Sequence, residues 1–209
     1  MTSEESAHRY FTDRGVLEES WRKYQIEIIS TPSHEQLIGW IGSNGYSLEA
    51  AIVFPNLVPD PDTVGLKIHN YSVRCFPPPV GPDGKARKFL CTLGSTYRPY
   101  ILPPVLDVAY DTSVPIYIVE KQAAALLLLQ NGLSAIALEG TWGSAAKREN
   151  GERVTLHQVL GEFDWTGRPV YLCFDADFKR RESVLQGLIR TYILFSTADV
   201  LPKNWTGEI

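Results

Sequence analysis

The chain has 209 residues, which is enough for one large domain or two small ones. Its hydrophobic fraction of 44% and charged fraction of 21% are those of an ordinary globular protein, while a formal net charge of -4 argues against a surface that is basic overall. Three cysteines without any CxxC spacing argue against a zinc site built on cysteine pairs. The N-terminus has no apolar signal core, and the longest apolar run, residues 123–129, is too short to span a bilayer. The sequence therefore predicts a cytoplasmic protein with no membrane segment.

The first part of the chain, residues 1–112, is predicted to be helical at its start and rich in strands and turns afterwards. Gly-Pro-Asp-Gly is a strong turn signal, and strict alternation of apolar and polar residues indicates half-buried strands. In chain order, the predicted elements are helical residues 6–37 with a break at Arg14-Gly15, a strand over 47–57, a strand over 66–76 with a bulge near Asn70, a turn over 81–84 and a returning strand over 88–92.

The second part, residues 113–209, alternates strand and helix patterns, which favours an α/β domain with a parallel sheet flanked by helices. Its short apolar runs are typical of strands that are covered on both faces. The smaller helical and β-rich part would precede this Rossmann-like sheet. The predicted strands are 115–119, 134–138, 170–174 and 198–201, and the predicted helices are 122–130, 155–163 and 182–195.

Acidic residues follow two of these predicted strands. Glu120 comes directly after the first, and Asp175 and Asp177 follow the third. The carboxyl ends of parallel strands line the ligand crevice, and residues i and i+2 of an extended segment point to the same side. Converging carboxylates repel each other, and Mg²⁺ or Mn²⁺ relieves that repulsion through hard oxygen ligands. The pattern predicts a metal site at this edge, although an aspartate here could instead cap the next helix.

The segments PIYIVEKQAAALLLLQNGLSAIALEGTWG and GRPVYLCFDADF resemble the Toprim fold shared by bacterial-type primases, type IA and II topoisomerases and small nucleases. A narrower similarity, to the Toprim-like domain of phage- and plasmid-type replication proteins that are described as primase-like, also covers FTDRGVLEESWRKYQI and YSVRCFPPPVGPDGKARKFLCTLGSTYRPYILPP. The resemblance implies that Asp175 and Asp177 bind Mg²⁺ or Mn²⁺. It also implies that Glu120 acts as general acid or base or completes the metal site.

Lys121 departs from the pattern of this family, in which glycine usually follows the glutamate. Glycine has no side chain and lets a phosphate approach the backbone closely, whereas lysine does not. It could instead pair with Glu120 or contact phosphate as a point charge. A basic residue common in the following helix is also replaced, here by an Ala- and Leu-rich run. These departures are compatible with a partly degenerate domain that binds metal and nucleic acid without efficient catalysis.

Several basic residues are candidates for binding nucleic-acid phosphates, because a chain of net charge -4 must rely on local positive clusters. For each of them the alternative is an ordinary solvated surface charge. The candidates are Lys121, Lys179, Arg180, Arg181, Arg74, Lys88 and Arg98.

The function that the resemblance implies is that of a Mg²⁺-dependent Toprim-type nucleic-acid enzyme, performing primase-like nucleotidyl transfer in the DNA replication of a mobile element. Its partners would be DNA or RNA, nucleotides, and a helicase or another replication protein. Three alternatives remain open at this point. The first is a Toprim nuclease, a phosphodiesterase on the same scaffold, and the second is a non-catalytic nucleic-acid-binding module. The third is a replication accessory that holds a helicase or polymerase.

Overall fold

The computed structural model of the chain divides into two compact units, Met1–Thr96 and Tyr97–Ile209. Among the described residues, each unit contains a four-stranded sheet. No helix among the described residues is both long enough and apolar enough to cross a membrane. The structure describes residues 1–43, 45–60, 62–63, 65–95, 98–138, 140, 143–145, 155–175 and 180–197.

The first unit combines three helices with an antiparallel sheet. Its elements are α1 (Ser3–Thr12), α2 (Glu18–Arg22), β1 (Glu27–Ser30), α3 (His34–Ile41), β2 (Ala50–Pro59), β3 (Leu66–Phe76) and β4 (Phe89–Cys91). The strands are ordered β1-β2-β3-β4, and every neighbouring pair is antiparallel. Capping boxes at Thr2 and Ser33 satisfy the first backbone N–H groups of α1 and α3 and so fix where these helices begin.

Strand β2 is buried on both of its faces. Ala51 and Val53 lie in an apolar cluster with Leu37 of α3. On the opposite face, the Phe54 ring meets the Phe11 ring of α1 edge to face, with their centroids 6.0 Å apart. This double covering explains why the sequence shows a continuous apolar run here instead of alternation.

Strand β1 corrects the prediction that residues 6–37 are helical apart from a break at Arg14-Gly15. Glu27–Ser30 pairs antiparallel with β2. Gln25 has a positive φ of 58°, which ends the helical path that begins in α2. The β-branched pair Ile28-Ile29 suits a strand, and pairing with a distant strand overrides the helical appearance of the flanking sequence.

The bulge predicted near Asn70 is confirmed. The β2–β3 register passes from Asn56 opposite Asn70 to Leu57 opposite Ile68, which leaves His69 as the extra residue. Asn56 and Asn70 are both buried, and the Asn56 amide donates a hydrogen bond of 2.7 Å to the Asn70 side-chain oxygen. This bond keeps two polar side chains paired at the irregular point of the ladder.

The second unit is an α/β unit with a mixed sheet. Its elements are β5 (Tyr100–Ile101), α4 (Pro103–Asp107), β6 (Ile116–Val119), α5 (Gln122–Gln130), β7 (Ala135–Ala137), α6 (Gln158–Gly161), β8 (Val170–Cys173) and α7 (Glu182–Thr197). The strand order is β5-β7-β6-β8. Strand β6 lies between β7 and β8 and runs parallel to both, whereas β5 is antiparallel to β7.

The prediction of a wholly parallel sheet is therefore correct for β6, β7 and β8 and wrong for β5. Tyr100–Ile101, which the sequence-based division assigns to the first part, pairs with β7 in this second sheet. A two-residue strand shows no periodicity, so the sequence carries no local signal for it. The predicted strand over 198–201 lies outside the described residues.

Helix α6 is shorter than the predicted helix over 155–163. It covers only Gln158–Gly161, and its N-cap is His157. The Nδ1 atom of His157 accepts a hydrogen bond from the backbone N–H of Val159. This contact satisfies an N–H group of the first helical turn and so starts the helix later than the sequence suggests.

The core of the second unit includes one arginine. Arg168 is fully buried, with 0% of its surface exposed. Its Nε donates to the Asp164 carbonyl, and one terminal nitrogen donates to the carbonyls of Val108 and Ala109, each at 2.9 Å. Arg168 thus joins the segment before β8 to the segment after α4. The surrounding apolar core includes Val105, Ile116, Ile118, Ile136, Leu160, Phe163, Trp165 and Phe195.

Candidate functional site

The structure places two of the predicted acidic residues at one edge of the second sheet. Strands β6 and β8 are parallel neighbours, and Val119 is the register partner of Cys173. Glu120 directly follows Val119, and Asp175 is the second residue after Cys173. Both carboxylates therefore lie at the carboxyl ends of adjacent parallel strands, where ligands bind in open α/β sheets.

Asp175 forms an ion pair with Lys121. The Lys121 backbone is extended, with φ -131° and ψ 145°, so it continues the alternation of β6 two residues beyond Val119. Asp175 stands two residues beyond Cys173, the partner of Val119. The pair is thus a cross-strand pair set by the β6–β8 register. The sequence left open that Lys121 pairs with Glu120, and the structure shows Asp175 as its partner.

Both members of this ion pair are accessible. The side chains of Lys121 and Asp175 are 44% and 46% exposed. On the same sheet face, the rings of Tyr117 and Tyr171 stack with their centroids 4.9 Å apart, and Tyr171 is 49% exposed. A ligand approaching Asp175 would therefore meet an ion pair that is already in contact with water and an aromatic surface nearby.

Glu120 has a more enclosed position than Asp175. It ends the strand that lies between β7 and β8, and its carbonyl accepts a hydrogen bond of 3.3 Å from the Gly140 N–H. The side chain is half-buried, and its Oε1 atom is shielded from solvent. Alternation along β6 puts Glu120 on the side of Ile116 and Ile118, both of which are fully buried.

The Asp175 carboxylate fits a hard divalent cation, whereas strand alternation puts Glu120 on the opposite side of the sheet. Carboxylate oxygens are the ligands that Mg²⁺ and Mn²⁺ prefer, and Asp175 already holds a cationic group in the Lys121 ammonium. Within the part of the chain that the structure describes, no group of three His, Cys, Asp or Glu side chains could hold a metal ion. Asp177, the remaining predicted ligand, lies outside that part.

Arg180 and Arg181 lie just before helix α7, and both are exposed. The Arg181 carbonyl accepts hydrogen bonds from the N–H groups of Val184 and Leu185, so the first turn of α7 is built on it. The N-terminus of a helix carries partial positive charge, which adds to that of the two guanidinium groups. This end of α7 therefore favours an anion. Lys179 lies outside the described residues.

Arg74 packs among aromatic rings in the first unit. Its guanidinium carbon is 4.3 Å from the ring centroid of Tyr10 and 5.2 Å from those of Phe76 and Phe89. Burial lowers the pKa of Arg74. Cation–π packing is sufficient to explain an arginine at this position, and the geometry gives no separate indication of a phosphate contact.

The two other basic candidates differ in exposure. Lys88 is exposed, and its carbonyl accepts a hydrogen bond from the Cys75 N–H. Arg98 is half-buried; burial lowers its pKa, while the charge of Glu162 acts in the opposite direction. Arg98 is in this way partly balanced by a carboxylate of its own unit.

Comparison with known proteins supports a primase-like fold. Residues 106–206 match the family model described as "Domain of unknown function (DUF3854)". No curated protein matches the chain at a significant level. The fold is similar to a crystal structure of the Aquifex aeolicus primase that contains its zinc-binding and RNA polymerase domains, with a TM-score of 0.57 and 17% identity.

The similarity to that primase extends over almost the whole chain. It covers 96% of this chain and 50% of the primase chain, so the chain spans about half the length of that relative. At 17% identity the likeness establishes a shared fold. The Toprim assignment itself continues to rest on the sequence motifs around Glu120 and Asp175.

Proposed function

We propose that this chain is a Toprim-type, metal-dependent enzyme of nucleic-acid replication that performs primase-like nucleotidyl transfer for a mobile element. The observation that carries the proposal is the position of Glu120 and Asp175 at the adjacent ends of β6 and β8, within a fold similar to that of a primase. Fold likeness alone does not determine chemistry, so the proposal depends on this pair of strand-end carboxylates.

Each carboxylate has its own part in this proposal. Asp175, together with Asp177, would hold a Mg²⁺ or Mn²⁺ ion, which would supply charge stabilisation for a phosphoryl group. Glu120 either contributes a further oxygen ligand or accepts the proton of the attacking hydroxyl at its carboxylate. Its enclosed position beside fully buried strand residues suits a proton-accepting group that is held in one place.

The proposed substrates are nucleotides and a DNA or RNA strand. Arg180 and Arg181 are exposed at the start of α7, in the second unit and close in sequence to Asp175. They offer local positive charge in a chain whose formal net charge is -4. A helicase or another replication protein would be the partner of such an enzyme.

A second candidate, a non-catalytic nucleic-acid-binding module, is favoured by one observation. The Lys121 ammonium pairs with the Asp175 carboxylate and neutralises its charge. If this ion pair persisted in the presence of Mg²⁺, the edge of the sheet would lack a metal-binding carboxylate. Arg180 and Arg181 could still bind phosphate in that case.

Primer synthesis by the full chain tests the proposal. The chain would be incubated with single-stranded DNA templates, labelled ribonucleotides and Mg²⁺, with EDTA in the control reaction. We expect short labelled oligonucleotides that form only without EDTA. Degradation of the template without extension would overturn primase-like transfer in favour of a nuclease. Binding of the template with neither product would favour the non-catalytic module.

A further inference from the structure

We infer that Lys121 is a tethered counter-ion that occupies the place of a divalent cation, so that a metal ion binds at Asp175 by displacing the Lys121 ammonium. The inference rests on the proposed function, because it concerns the same carboxylate. The metal affinity of this chain is then set by competition between the metal ion and the Lys121 side chain for Asp175.

The backbone holds Lys121 where its side chain can reach Asp175. Lys121 is the N-cap residue of α5, and its carbonyl accepts hydrogen bonds from the N–H groups of Ala124 and Ala125. Its extended conformation keeps it in line with β6, two residues past Val119. The contact therefore requires only a rotamer of a flexible side chain, and it can break without any change in the fold.

An ammonium group is poorly placed at this end of a helix. The N-terminus of α5 carries partial positive charge, which favours anions and disfavours cations. Lys121 makes no side-chain capping hydrogen bond. Its ion pair with Asp175 is therefore the contact that holds the ammonium group, and a divalent cation at Asp175 would meet the same partial positive charge.

The exposure of the pair makes it displaceable. With 44% and 46% of their side chains exposed, Lys121 and Asp175 attract each other through a medium that is close to water. A divalent cation carries twice the charge of an ammonium and can be bound by several oxygens at once. The cation can thus replace Lys121, but it binds less tightly than it would to an unpaired carboxylate.

The charges of the ion pair give the expected size of the effect. Asp175 and Lys121 together carry no net charge, and Asp175 alone carries one negative charge. Removing one partly screened positive charge next to the ligand is expected to tighten divalent-cation binding by about tenfold. In the wild-type chain, Lys121 would accordingly remain paired with Asp175 at low concentrations of the divalent cation.

Mn²⁺ binding tests this inference without any activity assay. Free Mn²⁺ would be followed by its electron paramagnetic resonance signal during titration of the full chain. We expect Lys121→Gln to lower the Kd for Mn²⁺ about tenfold, because the competing charge is gone. Lys121→Arg, which keeps the charge, should bind as the wild type does. An unchanged or raised Kd in Lys121→Gln would overturn the inference.

Two further variants separate this inference from the proposed function. Lys85→Gln removes an exposed lysine of the first unit and controls for the change in net charge, so its Kd should equal that of the wild type. In the double variant, Asp175→Asn should abolish the tighter Mn²⁺ binding that Lys121→Gln produces. If Asp175→Asn loses Mn²⁺ while Lys121→Gln has no effect, only the counter-ion role is wrong. If Asp175→Asn binds as the wild type does, the metal site and the counter-ion role both fail.

Discussion

Replacing Arg168 with leucine is expected to lower the free energy of unfolding by about 3 to 5 kcal/mol, among the largest effects of a single substitution. Arg168 is fully buried and donates to the carbonyls of Asp164, Val108 and Ala109. Leucine cannot donate, so the half-buried Asp164 and Val108 carbonyls and the buried Ala109 carbonyl would each lose a hydrogen bond. Urea denaturation followed by tryptophan fluorescence measures the change, since Trp165 lies in the same core.

Two control variants identify the cause of that loss. Arg180→Leu removes an exposed arginine of the same unit and should change the free energy of unfolding by no more than about 0.5 kcal/mol. Arg168→Lys should lower the free energy of unfolding by an intermediate amount. A single ammonium group cannot make all the hydrogen bonds that the planar guanidinium group makes to the two chain segments. An Arg168→Leu chain as stable as the wild type would show that these hydrogen bonds do not hold the second unit together.

Replacing Asp175 with asparagine is expected to lower the rate of metal-dependent nucleotidyl transfer by about 100-fold or more, because a neutral amide is a poor ligand for a hard cation. The substitution keeps the shape of the side chain. The lost ion pair with Lys121 is exposed, so its removal should cost no more than about 1 kcal/mol of stability. Initial rates of primer extension at saturating Mg²⁺ give the effect, and thermal melting reports whether the fold survives.

Asp111→Asn is the matched control for this substitution. Asp111 belongs to the same unit, and its carboxylate accepts hydrogen bonds from the N–H and hydroxyl groups of Ser113. These bonds hold the pKa of Asp111 below its ordinary value. The aspartate is thus charged and structural, and its replacement should leave the rate unchanged. Equal rates in Asp175→Asn and the wild type would remove Asp175 from the mechanism.

The parallel core of the second unit could be predicted because its signals are local. The apolar runs of β6, β7 and β8 and the Ala- and Leu-rich α5 are visible in the sequence. Strands β1 and β5 were missed because they are short and are stabilised by pairing with strands distant in the chain.

The candidate site was predictable only in part. The strand-end rule places Glu120 and Asp175 at one edge of a parallel sheet without knowledge of the register. The Lys121–Asp175 pair depends on the register between β6 and β8. That register follows from the packing of whole strands, so it cannot be predicted from the sequence of either strand alone. Arg168 stands between Gly167 and Pro169 in an apparent turn, and nothing in that tripeptide distinguishes a buried arginine from a solvated one.

A crystal of the full chain soaked in Mn²⁺ tests most directly whether Asp175 holds a divalent cation at the strand ends. We expect a single anomalous peak within about 2.0 to 2.5 Å of an Asp175 carboxylate oxygen, with the Lys121 side chain turned away. A peak with no Asp175 oxygen within that distance, or an intact Lys121–Asp175 pair with no peak at saturating Mn²⁺, would contradict this expectation.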